Sequence, residues 1–192
     1  MVNEVLAEIP TAGKAPLERA RAIYDHVIEN MEHKKVGTGW GNGDTFWACN
    51  ERHGNCTDYH ALFISLARRS GIPARFETGC PVPEDKEAGA IGGYRRWVEF
   101  YAPEVGRFPI DAFEADKHPE RRELLFGTHL ADRVQLTVGR ALELGAGHDS
   151  GSPSYFVYPH VGLGDRVIDE HRTEVRYKEV TVTRGARREL GE

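Results

Sequence analysis

Cysteine is scarce: the 192 residues contain three, an odd number that cannot form a disulfide framework. The expectation is a reducing compartment, the cytoplasm, with free thiols. Long apolar runs are missing too. The longest extend over a few residues, too short for a membrane-spanning helix or for the apolar stretch of a signal peptide. Positive charge is not in excess. With 25 Lys and Arg against 30 Asp and Glu, the net charge is −5, so nothing global draws the chain to nucleic acid or to an anionic membrane. Glycine is locally dense at 37, 39, 41 and 43, yet no Gly-Lys-Ser/Thr ending follows and no strand precedes, which excludes a phosphate-binding loop. Internal repeats and low-complexity tracts are absent.

What is present suits one soluble domain over residues 1–192, with 40% apolar and 29% charged residues. Residues 1–14 and 184–192 read as flexible ends. The organising stretch is Gly54-Asn55-Cys56-Thr57-Asp58 followed by a helical run to Ser70, with Gly71 and Pro73 as stop signals. Leu62, Phe63, Leu66 and Ala67 recur at helical spacing and form a buried stripe. Asn55, Thr57 and Asp58 supply capping groups where the helix begins. Cys56 thus stands in the first turn, where the positive end of the helix dipole and unpaired N–H groups lower a thiol pKa and favour the thiolate. The alternative is a small cysteine that packs.

Upstream, Pro16 opens a helical pattern to about Met31, with Leu17, Ala20, Ile23, Tyr24, Val27 and Ile28 on one stripe. The Gly37–Asp44 loop, with Trp40 in it and Phe46 and Trp47 after it, walls a cleft or plugs the core. Cys49, His53, Cys56 and His60 are zinc-competent ligands within twelve residues. They lack the long spacer between ligand pairs that zinc sites use, so no metal and no cofactor is expected. Beyond Pro73 the period becomes that of strands: 74–79, an exposed loop over 81–93, then 94–101 and 107–111 as a hairpin. Its register is expected to bring a residue near 95 beside Asp111. A charged helix over 119–125 and strands over 133–138, 155–160 and 173–183 complete an α+β pattern, helices first and an antiparallel sheet after.

Gly-Asn-Cys-Thr-Asp at 54–58, Gly-Ile-Pro-Ala-Arg at 71–75, Gly-Tyr-x-x-Trp-Val-Glu-Phe-Tyr at 93–101 and Pro-Ile-Asp at 109–111 resemble the bacterial transglutaminase-like family. Supporting segments are Gly-Thr-Gly-Trp-Gly at 37–41, Lys117-His118-Pro119 and the run 154–159. The resemblance implies a papain-like α+β fold and a Cys-His-Asp triad. Cys56 matches the nucleophile and Asp111 the carboxylate that orients the base. The histidine position, two residues before Trp97, holds Arg95.

A guanidinium stays protonated and cannot cycle a proton. It pairs with Asp111 as a fork, on this reading, and stabilises a nearby thiolate. Three functions remain open: a degenerate protein that binds with little turnover; a Cys56 acyltransferase or hydrolase of altered chemistry, acting on peptide, amide or thioester substrates; or an enzyme with a substitute base, for which His60 is nearest, with His118 and His129 harder to place. Asn55, Trp40 and Trp47 are candidates for the oxyanion hole and cleft. Arg95-Arg96 and Arg121-Arg122 either rim an anion site or are solvated. Oligomeric state is not legible.

Overall fold

The computed structural model describes residues 1–143, 145, 157, 159, 161–163, 166–168 and 170–181. The first fourteen residues correct the expectation of a loose lead-in. Val2–Ala7 forms helix α1, and Val5 and Ile9 are buried in the core. Their helical spacing finds an apolar surface on the central helix, a tertiary reason that Gly13 and Pro10 mask in sequence. Helix α2, Pro16–Asn30, begins with Pro at its first position, where the missing N–H costs nothing and the ring presets φ. Ala20, Ile23, Tyr24 and Val27 are its buried stripe, as the periodicity predicts.

Strand β1 (Glu32–His33) pairs in parallel with β2 (His53–Gly54), tying together the two ends of the glycine-rich segment. Between them lies α3, Thr45–Glu51, a helix that short periodicity did not reveal. Asp44 caps it by accepting the Phe46 N–H. Helix α4, Cys56–Arg69, is the centre of the molecule. Asn55 accepts the Thr57 N–H at 2.8 Å, and Asp58 reaches back to the Asn55 N–H at 2.9 Å. This reciprocal cap satisfies donors that a helix start otherwise leaves bare. Ten of its residues are buried, so it is apolar around most of its circumference and must lie inside. Arg68 and Arg69 complement its carboxyl end, and Gly71, at φ +78°, makes the left-handed stop.

The main sheet has strands in the order β6-β5-β3-β7, all neighbours antiparallel: β3 is Ala74–Pro81, β5 Arg95–Ala102, β6 Gly106–Ile110 and β7 Arg133–Val138. Phe76 faces Val98 and Thr78 faces Arg96 across β3 and β5. Phe100 and Phe63 meet at 6.0 Å between ring centres, which places α4 on the face carrying Phe76, Val98 and Phe100. Helix α5, Ala112–Lys117, follows β6 directly, with Asp111 as its cap.

Three further expectations change. The 81–93 loop contains β4, Ala88–Ile91, paired with β10, Val175–Lys178, so a remote strand organises part of it. The helix over 119–125 is a single 3-10 turn, Pro119–Arg121, followed by further turns. Of the strand expected over 173–183, residues 173–181 hold β10 alone, and 182–183 lie outside the described residues. A small hairpin of β8 (Gly162–Leu163) and β9 (Arg166–Val167) precedes it. The strand over 155–160 lies outside the described residues except Val157 and Pro159. Among the described residues no helix is long and apolar enough to cross a membrane. The fold is α+β.

Candidate active site

Cys56 is the first residue of α4 and half-buried. Burial pushes its thiol pKa up. The Arg96 backbone N–H opposes this, Asp111 adds to it, and the Arg96 charge and the Thr57 hydroxyl oppose it again, with upward pressure prevailing. The lowered pKa expected from the helix start is therefore not found: burial outweighs the hydrogen bonds and the charge that oppose it.

His60 lies one turn further along, its ring fully buried. Residues four apart share a helix face, and side chains lean towards the amino end, so the imidazole leans towards the turn that carries Cys56. Its Nε2 is 3.3 Å from Oδ1 of Asp111. The contact is off the line of a hydrogen bond, and neither ring nitrogen has a hydrogen-bonding partner among the described residues.

Asp111 is 3% exposed. Its Oδ1 also accepts the Glu114 N–H at 2.8 Å, and its Oδ2 receives Arg133 Nη1 at 2.7 Å. Burial alone raises its pKa, but His60, Arg133 and the Glu114 N–H overcome this and hold it at about 2.

Arg95 does not join this group. Its guanidinium bonds Glu114 Oε2, while His118 Nε2 stands 3.3 Å from Glu114 Oε1 and Lys117 Nζ 3.5 Å from Oε2. The expected Arg95–Asp111 fork is thus corrected, and the chain path explains why. The β5–β6 ladder ends with Val98 opposite Ile110. At Asp111 the chain leaves the sheet, that carboxylate caps α5, and Glu114, one turn later, meets Arg95. The neighbouring Arg96 faces α4, 3% exposed, with its guanidinium 5.4 Å from the Phe76 ring centre and 5.8 Å from that of Tyr94.

The glycine-rich loop closes over the helix start through Asp58. This fully buried carboxylate accepts N–H groups from Gly41 at 2.7 Å and Gly43 at 3.1 Å as well as from Asn55. Gly54 is required there, since a Cβ would stand 2.1 Å from Asp58 Oδ2. Arg140 binds the carbonyl oxygens of Gly43 at 2.7 Å and Asn42 at 2.6 Å from the other side.

Trp47 lies against Gly37 and Gly39 and donates its indole N–H to the His53 carbonyl at 3.0 Å, so that donor is already engaged. Trp40 is half-buried, with Lys35 Nζ 5.6 Å from its ring centre. Among the described residues no three His, Cys, Asp or Glu side chains converge as a metal site. His53 is turned to the carbonyls of Glu51 and Val36 instead.

His129 stands 3.4 Å from buried Glu77, which also accepts the Trp97 indole N–H at 2.7 Å. Sequence reasoning missed Glu77, Arg133 and the loop-binding role of Asp58. Only Asp58 carried a signal, as the third residue after a helix cap.

The sequence model of the transglutaminase-like superfamily matches residues 3–112. An uncharacterized protein of Haemophilus influenzae is 26% identical over 181 residues, covering 78% of this chain and 49% of the relative. The chain thus spans about half the length of that curated relative. The crystal structure of "a Putative Cysteine Protease from Cytophaga hutchinsonii" matches 95% of this chain and 52% of that one, with TM-score 0.57 at 20% identity; this is a likeness of fold. The periplasmic domain of TgpA from Pseudomonas aeruginosa matches 64% of this chain and 44% of that one at 23% identity, with TM-score 0.42.

Proposed function

The chain belongs to the transglutaminase-like superfamily, and from that premise we propose that it performs acyl transfer or hydrolysis through a thioester on Cys56. Activity is weakened for amides and shifted towards activated acyl groups such as thioesters. The observation that carries this reading is the buried Asp111 carboxylate set against His60, on the same helix as Cys56. Cys56 Sγ attacks the acyl carbon as its proton passes to His60 Nδ1, and Asp111 steadies the resulting imidazolium. The tetrahedral adduct collapses and the leaving group departs as its anion; water or an amine then attacks the acyl carbon and gives up a proton to that anion, and Cys56 leaves as a thiolate that recovers its proton from His60. The Asn55 side chain and Trp40 remain the cleft candidates of this reading.

The leaving group decides the substrate class. An amine must be protonated to depart; Arg95 holds its proton, and the proton that His60 has taken from Cys56 sits on a fully buried ring paired with Asp111, which makes its transfer to a departing amine slow. A thiolate departs with little such help. The partner is a peptide, amide or thioester substrate, in the reducing cytoplasm, without nucleic acid or membrane.

A second reading is supported by the raised thiol of Cys56: a binding module that keeps the cleft without turnover. Mass spectrometry after exposure to acyl thioesters separates the two. An acyl adduct on Cys56, absent from Cys56→Ser, supports the enzyme; no adduct with any donor leaves the binding module. Arg95→His, assayed on amide, ester and thioester substrates, tests the missing base. A gain on amides is the expected outcome, and no change on any substrate would sink the view that position 95 limits activity.

A further inference from the structure

We propose that Arg133 is a positioning residue for the Asp111 carboxylate, an inference that rests on the reading of Cys56 as a live nucleophile. Arg133 opens β7, opposite Pro81 of β3. Its side chain is 4% exposed, and Nη1 reaches Asp111 Oδ2 at 2.7 Å. The guanidinium lies 5.2 Å from the centre of the Trp97 ring, which limits its swing. Nε stands 3.8 Å from Asp132 Oδ1. No sequence motif marks this residue, and it lies far along the chain from Cys56 and Asp111.

The two oxygens of Asp111 have different tasks. Oδ1 meets His60 and the Glu114 N–H, while Oδ2 meets Arg133. A carboxylate can roll about its Cβ–Cγ bond, and the Glu114 N–H alone holds one oxygen without fixing the plane. A cation held at one oxygen stops that roll and keeps Oδ1 against His60 Nε2. A proton on Nε2 is favoured by the facing carboxylate, which leaves Nδ1 as the acceptor of the ring. That nitrogen is buried without a hydrogen-bonding partner among the described residues, which leaves it open to act as a base. Arg133 therefore acts on the tautomer of His60 through Asp111, while touching neither substrate nor thiol.

A buried Arg–carboxylate pair can also be purely structural, and the test separates the two roles. Arg133→Met keeps the length and loses the charge; Arg133→Lys keeps the charge and loses the fork. Ring nitrogen chemical shifts of His60 in the full chain labelled with nitrogen-15 report the tautomer. The expected result is one tautomer, with the proton on Nε2, in the wild-type protein, and a mixture in folded Arg133→Met. The rate of Cys56 alkylation by iodoacetamide against pH is read in parallel. It is expected to fall at least tenfold at neutral pH in Arg133→Met and to recover in part in Arg133→Lys.

A folded Arg133→Met with the wild-type tautomer and alkylation profile overturns the proposal. Should Arg133→Met fail to fold, Arg133→Gln, which keeps a donor and loses the charge, decides. A changed tautomer ratio there supports positioning, and a wild-type ring spectrum assigns Arg133 to structure alone. A wild-type Cys56 that alkylates no faster than a denatured thiol removes the nucleophile reading itself. The ring spectra then still show whether Arg133 sets the tautomer.

Discussion

Two carboxylates three residues apart, Asp111 and Glu114, meet different surroundings. Asp111 is closed off between α4 and β7 and shares its oxygens among His60, Arg133 and a backbone N–H. Glu114 is itself buried, 6% exposed, but its partners Arg95, Lys117 and His118 are each 32–42% exposed. Both groups of partners look alike on paper, an arginine and a histidine around an acid. The difference is water. Near Asp111 a misplaced charge has nothing to solvate it, so geometry is held tightly. Near Glu114 the cations reach solvent, which screens the pairs and lets each relax if another is lost.

Removing each acid in turn sharpens the contrast most. Asp111→Ala leaves Arg133 buried without its partner and is expected to cost about 3–5 kcal/mol. Glu114→Ala frees three cations that rehydrate, for about 1 kcal/mol or less. Urea unfolding measures both, and equal losses would break the comparison. Chemistry gives a second contrast. Asp111→Asn is expected to slow formation of the Cys56 acyl-enzyme by roughly 10²–10⁴-fold, whereas Glu114→Gln should leave it within a few-fold, as read in single-turnover assays.

Acid supplies a third and smaller effect. The folded pKa of Asp111, about 2, lies below its ordinary value of 3.8. The unfolded chain therefore binds this proton first, and stability falls as pH drops through this window. The stabilisation, on the order of 2 kcal/mol, is fully present above pH ~4 and lost by pH ~2. Denaturant midpoints of wild type and Asp111→Asn should differ in slope only across this interval. Smallest of all, Arg95→Ala is expected to shift stability by less than about 1 kcal/mol. A larger loss would mean that the burial of the Glu114 carboxylate outweighs the exposure of its partners.

Much of the scaffold was legible because its signals are local. Pro16 and the stripe Ala20, Ile23, Tyr24 and Val27 foretell α2. The Asn55–Asp58 cap and Gly71 bound α4, and period-two runs give β3 and the β5–β6 hairpin. Helix α1 was not legible, since Val5 and Ile9 become a core face only against α4. The ribbon of β4 and β10 depends on segments far apart in sequence. In the site, the helix start of Cys56 could be read but not its desolvation, which comes from what packs above it. The pairing of Arg95 with Glu114 turns on where the chain leaves the sheet, and spacing alone does not carry that. Arg133 reaches Asp111 only because β7 adds to the β3 edge, so nothing near it in sequence announces the contact.

Asp58 has a kinetic consequence. Its carboxylate gathers the amides of Gly41, Gly43 and Asn55, drawn from a loop and from the approach to a helix. These amide hydrogens are protected only while both segments are seated at once, so they should exchange with deuterium at a common rate. The wall of the cleft and the turn bearing the thiol would then open as one unit.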